Sequence, residues 1–223
     1  MSWTEVPPLS TSFASQLPEL SQVAIVAGLI GDHRAALRAA EVPAVERAVE
    51  KRVQEFATGR RLARIAMTEL GLPARAIPRG EDRRPLWPPG CLGSITHGGA
   101  LAVAAVAASG AVRGLGIDLE EADRVTSDLH ERLLTSKERG AARGADPRLP
   151  GLVFSAKEAT YKAVHPLVER FIGFQEVEVD VDWPEQRFRL RYVGDHGPNR
   201  VMEEGIGYFA FSERYVLTLF IIP

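Results

Sequence analysis

In Ser109-Gly110-Ala111-Val112-Arg113-Gly114-Leu115-Gly116-Ile117-Asp118-Leu119-Glu120, a seam near 109–113 gives way to a short strand that ends in carboxylates. Before the seam the order of elements is helix then strands, and after it the same order recurs. Two packed α+β halves, 1–111 and 112–223, fit that order better than a parallel βαβ arrangement. Upstream, 100–108 is a run of small and β-branched residues, expected to be a strand that follows a glycine turn at Gly93-Ser94-Ile95-Thr96-His97-Gly98-Gly99. Downstream, acidic turns and a helix are expected over 121–145, and a strong helix over 154–164. Strand-like runs follow at 177–181, 188–193, 208–211 and 215–222.

Working further outward, the spacing predicts a helix over 44–70. At about 100° per residue, Val45, Val49, Phe56, Ala63, Met67 and Leu70 fall within an arc of ~60°. Arg52 and Arg60 fall on or beside that arc, whereas Arg61 points away. An arginine that faces a core requires an anion or a carboxylate to satisfy it. Gly71 and Pro73 end the helix. A Pro- and Arg-rich connector covers 73–90, a buried strand is expected at 23–30, and Pro7, Pro8 and Pro18 make an irregular arm of 1–22.

The chain has 223 residues, 45% hydrophobic and 25% charged, which excludes a disordered, collagenous or small disulfide-stapled protein. A net charge of −2 argues against a surface given over to nucleic acid. Cys91 is the single cysteine, so neither an internal disulfide nor a thiolate zinc cage is available. The apolar run at 23–30 is too short to span a membrane and lacks the basic flank of a signal peptide, so a cytoplasmic protein without a membrane partner is expected. Of the 27 basic residues only Lys51, Lys137, Lys157 and Lys162 are lysine. Where arginine serves nearly every need for positive charge, a retained lysine points to a chemical requirement.

Asp118 and Glu120, two apart on a strand, project from one face. With Glu158 they could hold a hard cation such as Mg²⁺, or they could be a solvated acidic strand end continued by Glu121 and Asp123. Glu158 and Lys162, four apart on a helix, also share a face. The pair is either a surface ion pair worth ~0.3 to 0.5 kcal/mol or an acid and base at a site. His97 stands before Gly98-Gly99, where backbone amides could cradle an anion, or it is a simple turn histidine.

Three blocks together resemble the 4′-phosphopantetheinyl transferase superfamily of the Sfp and EntD type. They are Pro85-Leu86-Trp87-Pro88-Pro89-Gly90-Cys91-Leu92-Gly93-Ser94-Ile95-Thr96-His97, then Gly116-Ile117-Asp118-Leu119-Glu120, then Phe154-Ser155-Ala156-Lys157-Glu158-Ala159-Thr160-Tyr161-Lys162-Ala163. The stretch Glu55-Phe56-Ala57-Thr58-Gly59-Arg60-Arg61-Leu62-Ala63-Arg64 is similar to the family's N-terminal half. The resemblance implies a monomeric pseudo-dimer of two α+β halves with coenzyme A and Mg²⁺ in the cleft between them. It implies transfer of phosphopantetheine from coenzyme A to a serine of an apo acyl or peptidyl carrier domain, releasing 3′,5′-ADP. Mapped by that resemblance, Asp118, Glu120 and Glu158 form the metal and diphosphate group, while Glu158 and Lys162 serve as base and acid. Arg52, Arg60 and His97 contact the phosphates of coenzyme A, with Arg79 and Lys157 as further contacts and Thr96 near the adenine. Fatty-acid, polyketide, siderophore and other peptide synthetase carriers are all compatible. A carboxylate-metal phosphohydrolase and a coenzyme A-binding module without transfer activity are the competing classes.

Overall fold

The computed structural model describes residue 20 and residues 22–195, 197 and 199–223, so the arm expected over 1–22 lies almost wholly outside the described residues. Its contacts divide the chain into two compact units, with the boundary between Val112 and Arg113. Each unit lays one 20-residue helix on one antiparallel sheet, an α+β class in two similar halves.

In the first unit, β1 (Val23–Leu29), β2 (Cys91–Gly98) and β3 (Leu101–Ala108) make a sheet of order β1-β3-β2, packed against α1 (Glu50–Glu69). Central β3 reads Leu-Ala-Val-Ala-Ala-Val-Ala-Ala and is buried on both faces, which explains why it is continuously apolar rather than alternating. Its Ala102, Ala104 and Val106 pack on Leu62, Ala63, Ala66 and Met67 of α1. Small residues on both partners allow a close approach: a Cβ on Gly59 of α1 would stand 2.7 Å from Ile95 of β2.

Two expectations for this unit change. The helix starts at Glu50 rather than 44, and Val49, its N-cap residue, is 74% exposed instead of lying on the buried arc. Pro43 sits inside a 3₁₀ segment, Ala39–Ala44, whose Glu41 is buried. That carboxylate accepts from Arg38 N at 2.8 Å within its own turn and, at long range, from Arg64 NH1 at 2.6 Å and Ile77 N at 2.8 Å, and together these bonds hold the chain away from an α path. The expected glycine turn at 93–99 is mostly strand. Gly93 answers a packing need, because a Cβ there would meet the Trp87 ring at 2.5 Å, and the turn is confined to Gly99-Ala100, with Gly99 at φ 56.

The second unit contains β4 (Gly114–Glu121), α2 (His130–Leu133), α3 (Ser136–Ala142), α4 (Leu149–Val168), β5 (Val177–Asp182), β6 (Arg187–Tyr192), α5 (Asn199–Glu203), β7 (Ile206–Phe211) and β8 (Tyr215–Ile222). The sheet order is β4-β8-β7-β6-β5. The four late strands fall where the apolar runs place them. The single helix expected within 121–145 is broken in two, because Thr135 caps the start of α3 in a capping box with Glu138. Helix α4 outruns the expected 154–164 at both ends, since Pro150 suits a first helical turn and Gly151 lets it pass close to Ala122. Its Leu152, Ala156, Ala159 and Ala163 join a core with Phe188, Phe209 and Phe220. A Cβ on Gly114 would stand 2.8 Å from the Ala163 carbonyl oxygen, and one on Gly116 would collide with that of Ala159. The even-numbered face of β4 is therefore pressed against α4, and Asp118 and Glu120 are next along that face.

Candidate functional site

Asp118 is buried and held at both oxygens. Lys162 Nζ, from α4, donates to Oδ1 at 2.6 Å and also to the Ile117 carbonyl at 3.1 Å. Ser155 Oγ, two turns earlier on the same helix, donates to Oδ2 at 2.9 Å and lies 2.8 Å from Thr218 Oγ1 of β8. The ion pair made by Lys162 thus runs across to the strand. Glu120 accepts from Arg124 NH1 at 2.8 Å. Burial, with the charge of Asp118 adding to it, pushes the Glu120 carboxyl up to about 7. Glu158 is half-buried, and burial raises its pKa as well, Asp118 again adding and Lys162 opposing. Glu158 also lines a cavity of about 160 Å³ together with Tyr161, Phe171, Phe174 and Met202.

Asp118, Glu120 and Glu158 are hard oxygen donors of the kind that Mg²⁺ takes. Burial is the main reason that Glu120 and Glu158 are raised, and a cation beside carboxyls stripped of water would favour their ionised form. Among the described residues no group of three His, Cys, Asp or Glu side chains stands at metal-binding spacing, consistent with Lys162, Ser155 and Arg124 holding Asp118 and Glu120. The donor chemistry fits a divalent ion that would take over part of the charge these side chains now neutralise.

In the first unit, Arg52 and His97 are brought together from α1 and β2: Arg52 NH1 is 3.0 Å from His97 Nε2. Glu55, to which the sequence assigns no role, stands 3.4 Å from Arg52 and 3.6 Å from His97. Its position three residues after Arg52 on one helix was the available signal. Arg60 differs from Arg52: it is 5% exposed, stacks over the Phe56 ring at 4.1 Å and donates from Nε to the Ile77 carbonyl at 2.7 Å. Among the described residues it forms no ion pair. Burial, with Arg52, Arg64 and Arg79 adding their charges against the partial relief from Glu41, draws its pKa down to about 10. Arg79 is exposed on the connector. Thr96 is buried and, next to His97 on the strand, projects from the opposite face of the sheet.

A model of the 4′-phosphopantetheinyl transferase N-terminal domain matches residues 40–107, and one of the 4′-phosphopantetheinyl transferase superfamily matches 114–219. The chain is 36% identical to the 4′-phosphopantetheinyl transferase PptT of Mycobacterium tuberculosis, over 69% of each chain. The chain belongs to the 4′-phosphopantetheinyl transferase superfamily. It is also 33% identical to enterobactin synthase component D of Escherichia coli, over 78% of this chain and 80% of that one. With the crystal structure of holo-[acyl-carrier-protein] synthase from Thermotoga maritima it shares 22% identity over 50% of this chain and 63% of that chain, at a TM-score of 0.41.

For this transferase one expected phosphate contact is corrected. Lys157 is buried, and all three of its donors are used inside the protein, by Glu138 Oε2 at 2.6 Å, Phe174 O at 2.8 Å and Leu133 O at 3.0 Å. A helical neighbour of Glu158 is thereby turned into the core. Ser155, Thr218 and Arg124, which position Asp118 and Glu120, have no role assigned by the sequence. Only Arg124, four residues beyond Glu120, carried a spacing signal.

Proposed function

We propose that this chain moves the 4′-phosphopantetheine group of coenzyme A onto a serine hydroxyl of an apo carrier domain, releasing 3′,5′-ADP, with Asp118, Glu120, Glu158 and Lys162 carrying the chemistry. The observation that supports it most directly is the ion pair of buried Asp118 with half-buried Lys162, beside two carboxyls whose pKa values burial has raised. A phosphoryl transfer leaves the protein to position groups and to offset charge. The serine oxygen bonds to the phosphorus that bears pantetheine. The bond from that phosphorus to the bridging oxygen breaks, and the electron pair departs on the phosphate of 3′,5′-ADP. Glu158 takes the serine proton, a task suited to a carboxyl of raised pKa. Lys162, held in place by Asp118 and Ile117 O, offsets the charge on the departing phosphate. Mg²⁺, held by Asp118, Glu120 and Glu158, would supply neutralisation of the diphosphate oxygens. Arg52, His97 and Arg60, with Arg79 adding charge, bind the phosphates of coenzyme A. A buried arginine among like charges is a site that wants an anion.

The relative named for enterobactin synthase supports carriers of siderophore and peptide assembly as acceptors, beside those of polyketide and fatty-acid synthesis. A cytoplasmic monomer belongs to the same proposal, supported by the ordinary globular composition and the free Cys91. Incubating the protein with coenzyme A, Mg²⁺ and a panel of apo carrier domains, followed by intact-mass spectrometry, should show one phosphopantetheine added per carrier. Bound coenzyme A without an adduct on any carrier would refute the transfer.

A further inference from the structure

Lys157 is the lysine beside Glu158 that the transfer chemistry leaves unused. Its side chain is 2% exposed and faces Glu138, whose side chain is 5% exposed. The Glu138 carboxylate is fully engaged: Oε2 accepts from Lys157 Nζ at 2.6 Å and Thr135 N at 2.8 Å, and Oε1 accepts from Val179 N at 2.9 Å. Lys157 in turn reaches the carbonyls of Leu133 and Phe174. One buried ion pair therefore ties α4 to the end of α2, the start of α3, the 3₁₀ turn Phe174–Glu176 and the start of β5. The segment it holds from inside includes Gly173, Phe174 and Val177, which line the same cavity as Glu158. Phe174 also packs on Phe154 of α4 at 5.6 Å between ring centroids. The rest of the segment has holds of its own: Ile172 is buried in the core, Phe171 lies 6.0 Å from the Tyr161 ring, Glu176 accepts from Gly173 N and Tyr192 OH, and Gln175 donates to the carbonyls of Glu131, Arg132 and Leu134. The ion pair is thus the inward anchor of a wall that is also tied at its surface.

We propose that Lys157 and Glu138 are positioning residues of the transfer site, a buried pair that sets the wall formed by Gly173, Phe174 and Val177 against Glu158 without touching substrate. The proposal rests on the transferase reading of Glu158. A positioning pair and a phosphate contact differ in consequence. Removing a phosphate contact at Lys157 would weaken coenzyme A and leave Glu138 irrelevant. Removing a brace displaces the wall, and a displacement near 1 Å at reacting groups lowers turnover about 100-fold. Breaking it from either side should then have the same effect, and breaking both should add little.

The test uses Lys157→Met, Glu138→Gln and the double variant in the full chain. Steady-state kinetics with coenzyme A and an apo carrier should show kcat lowered about 10- to 100-fold in all three, with KM for coenzyme A within about 3-fold of wild type. A second readout is independent of turnover. The chain has three methionines, and with ¹³C-methyl labelling Met202, on the cavity, reports the wall while Met67, in the core of the first unit, is the control. The Met202 signal should shift in each variant and the Met67 signal should stay. If Lys157→Met raises KM for coenzyme A tenfold or more at unchanged kcat while Glu138→Gln behaves as wild type, Lys157 touches phosphate and the proposal is overturned. Loss of both methionine signals in Glu138→Gln, the milder change, would make the pair a folding element and overturn it as well. If the wild-type protein transfers nothing, the transferase reading fails, and the Met202 shift still decides whether the pair sets the wall.

Discussion

Replacing Gly116 by alanine tests the contact on which the catalytic group stands. The added methyl would run into the Ala159 carbonyl oxygen and come within 2.9 Å of Ala163 N, both main-chain atoms of α4. Ordinary contact begins near 3.4 Å, so the helix must withdraw by roughly 1 Å or more, because a backbone carbonyl has no rotamer into which to escape. Overpacking of that kind costs ~1 to 3 kcal/mol, here the upper end, and alanine returns about 0.4 to 1 kcal/mol by restricting the unfolded chain. The net is about 2 kcal/mol, equivalent to a fall in Tm of roughly 8 °C for a unit of this size. The functional effect is larger. The withdrawal stretches the 2.6 Å contact between Lys162 and Asp118 beyond hydrogen-bonding range and carries Glu158 with it, so kcat should fall about 100-fold. Gly114→Ala is the graded comparison. Its methyl meets the Ala163 carbonyl at 2.8 Å, needs a shift of about half an ångström, and should cost ~1 kcal/mol or less and about tenfold in kcat. Thermal unfolding and the carrier-loading assay read both. A Gly116→Ala protein with wild-type Tm and kcat would show that α4 does not lie against β4 as described.

Asp118→Asn removes one carboxylate from the proposed metal group and a charged hydrogen bond worth ~1.5 to 3 kcal/mol, so the Mg²⁺ concentration for half-maximal transfer should rise steeply; a titration that overlays the wild type would end that assignment. Arg52→Ala, at a side chain 45% exposed and so little needed for folding, should weaken coenzyme A by roughly 10- to 150-fold and leave 3′-dephospho-coenzyme A unaffected. Equal weakening of both ligands means that Arg52 does not read the 3′-phosphate. Lys162→Ala should lower kcat and kcat/KM together with little change in coenzyme A affinity, whereas a raised KM at constant kcat would make Lys162 a ground-state contact.

Periodicity and turn chemistry located β8 and the late hairpin strands, because these depend on local alternation and on glycine and proline breaks. Spacing also placed Asp118 with Glu120, and Glu158 with Lys162, on shared faces. The partners of those faces were not legible. Lys162 pairs with Asp118, 44 residues away, and Lys157 with Glu138, 19 residues away. The helix start was lost to Glu41, whose carboxylate is claimed by Arg64 and Ile77 from distant parts of the chain. A period fixes which side chains leave an element on the same side. What lies over that side, and which charge is stripped of water and must find a partner there, is set by how closely elements far apart in sequence pack. For this protein glycines at 59, 93, 114 and 116 govern that closeness, and their meaning as contacts rather than turns appears only when the opposing backbone or ring is in place.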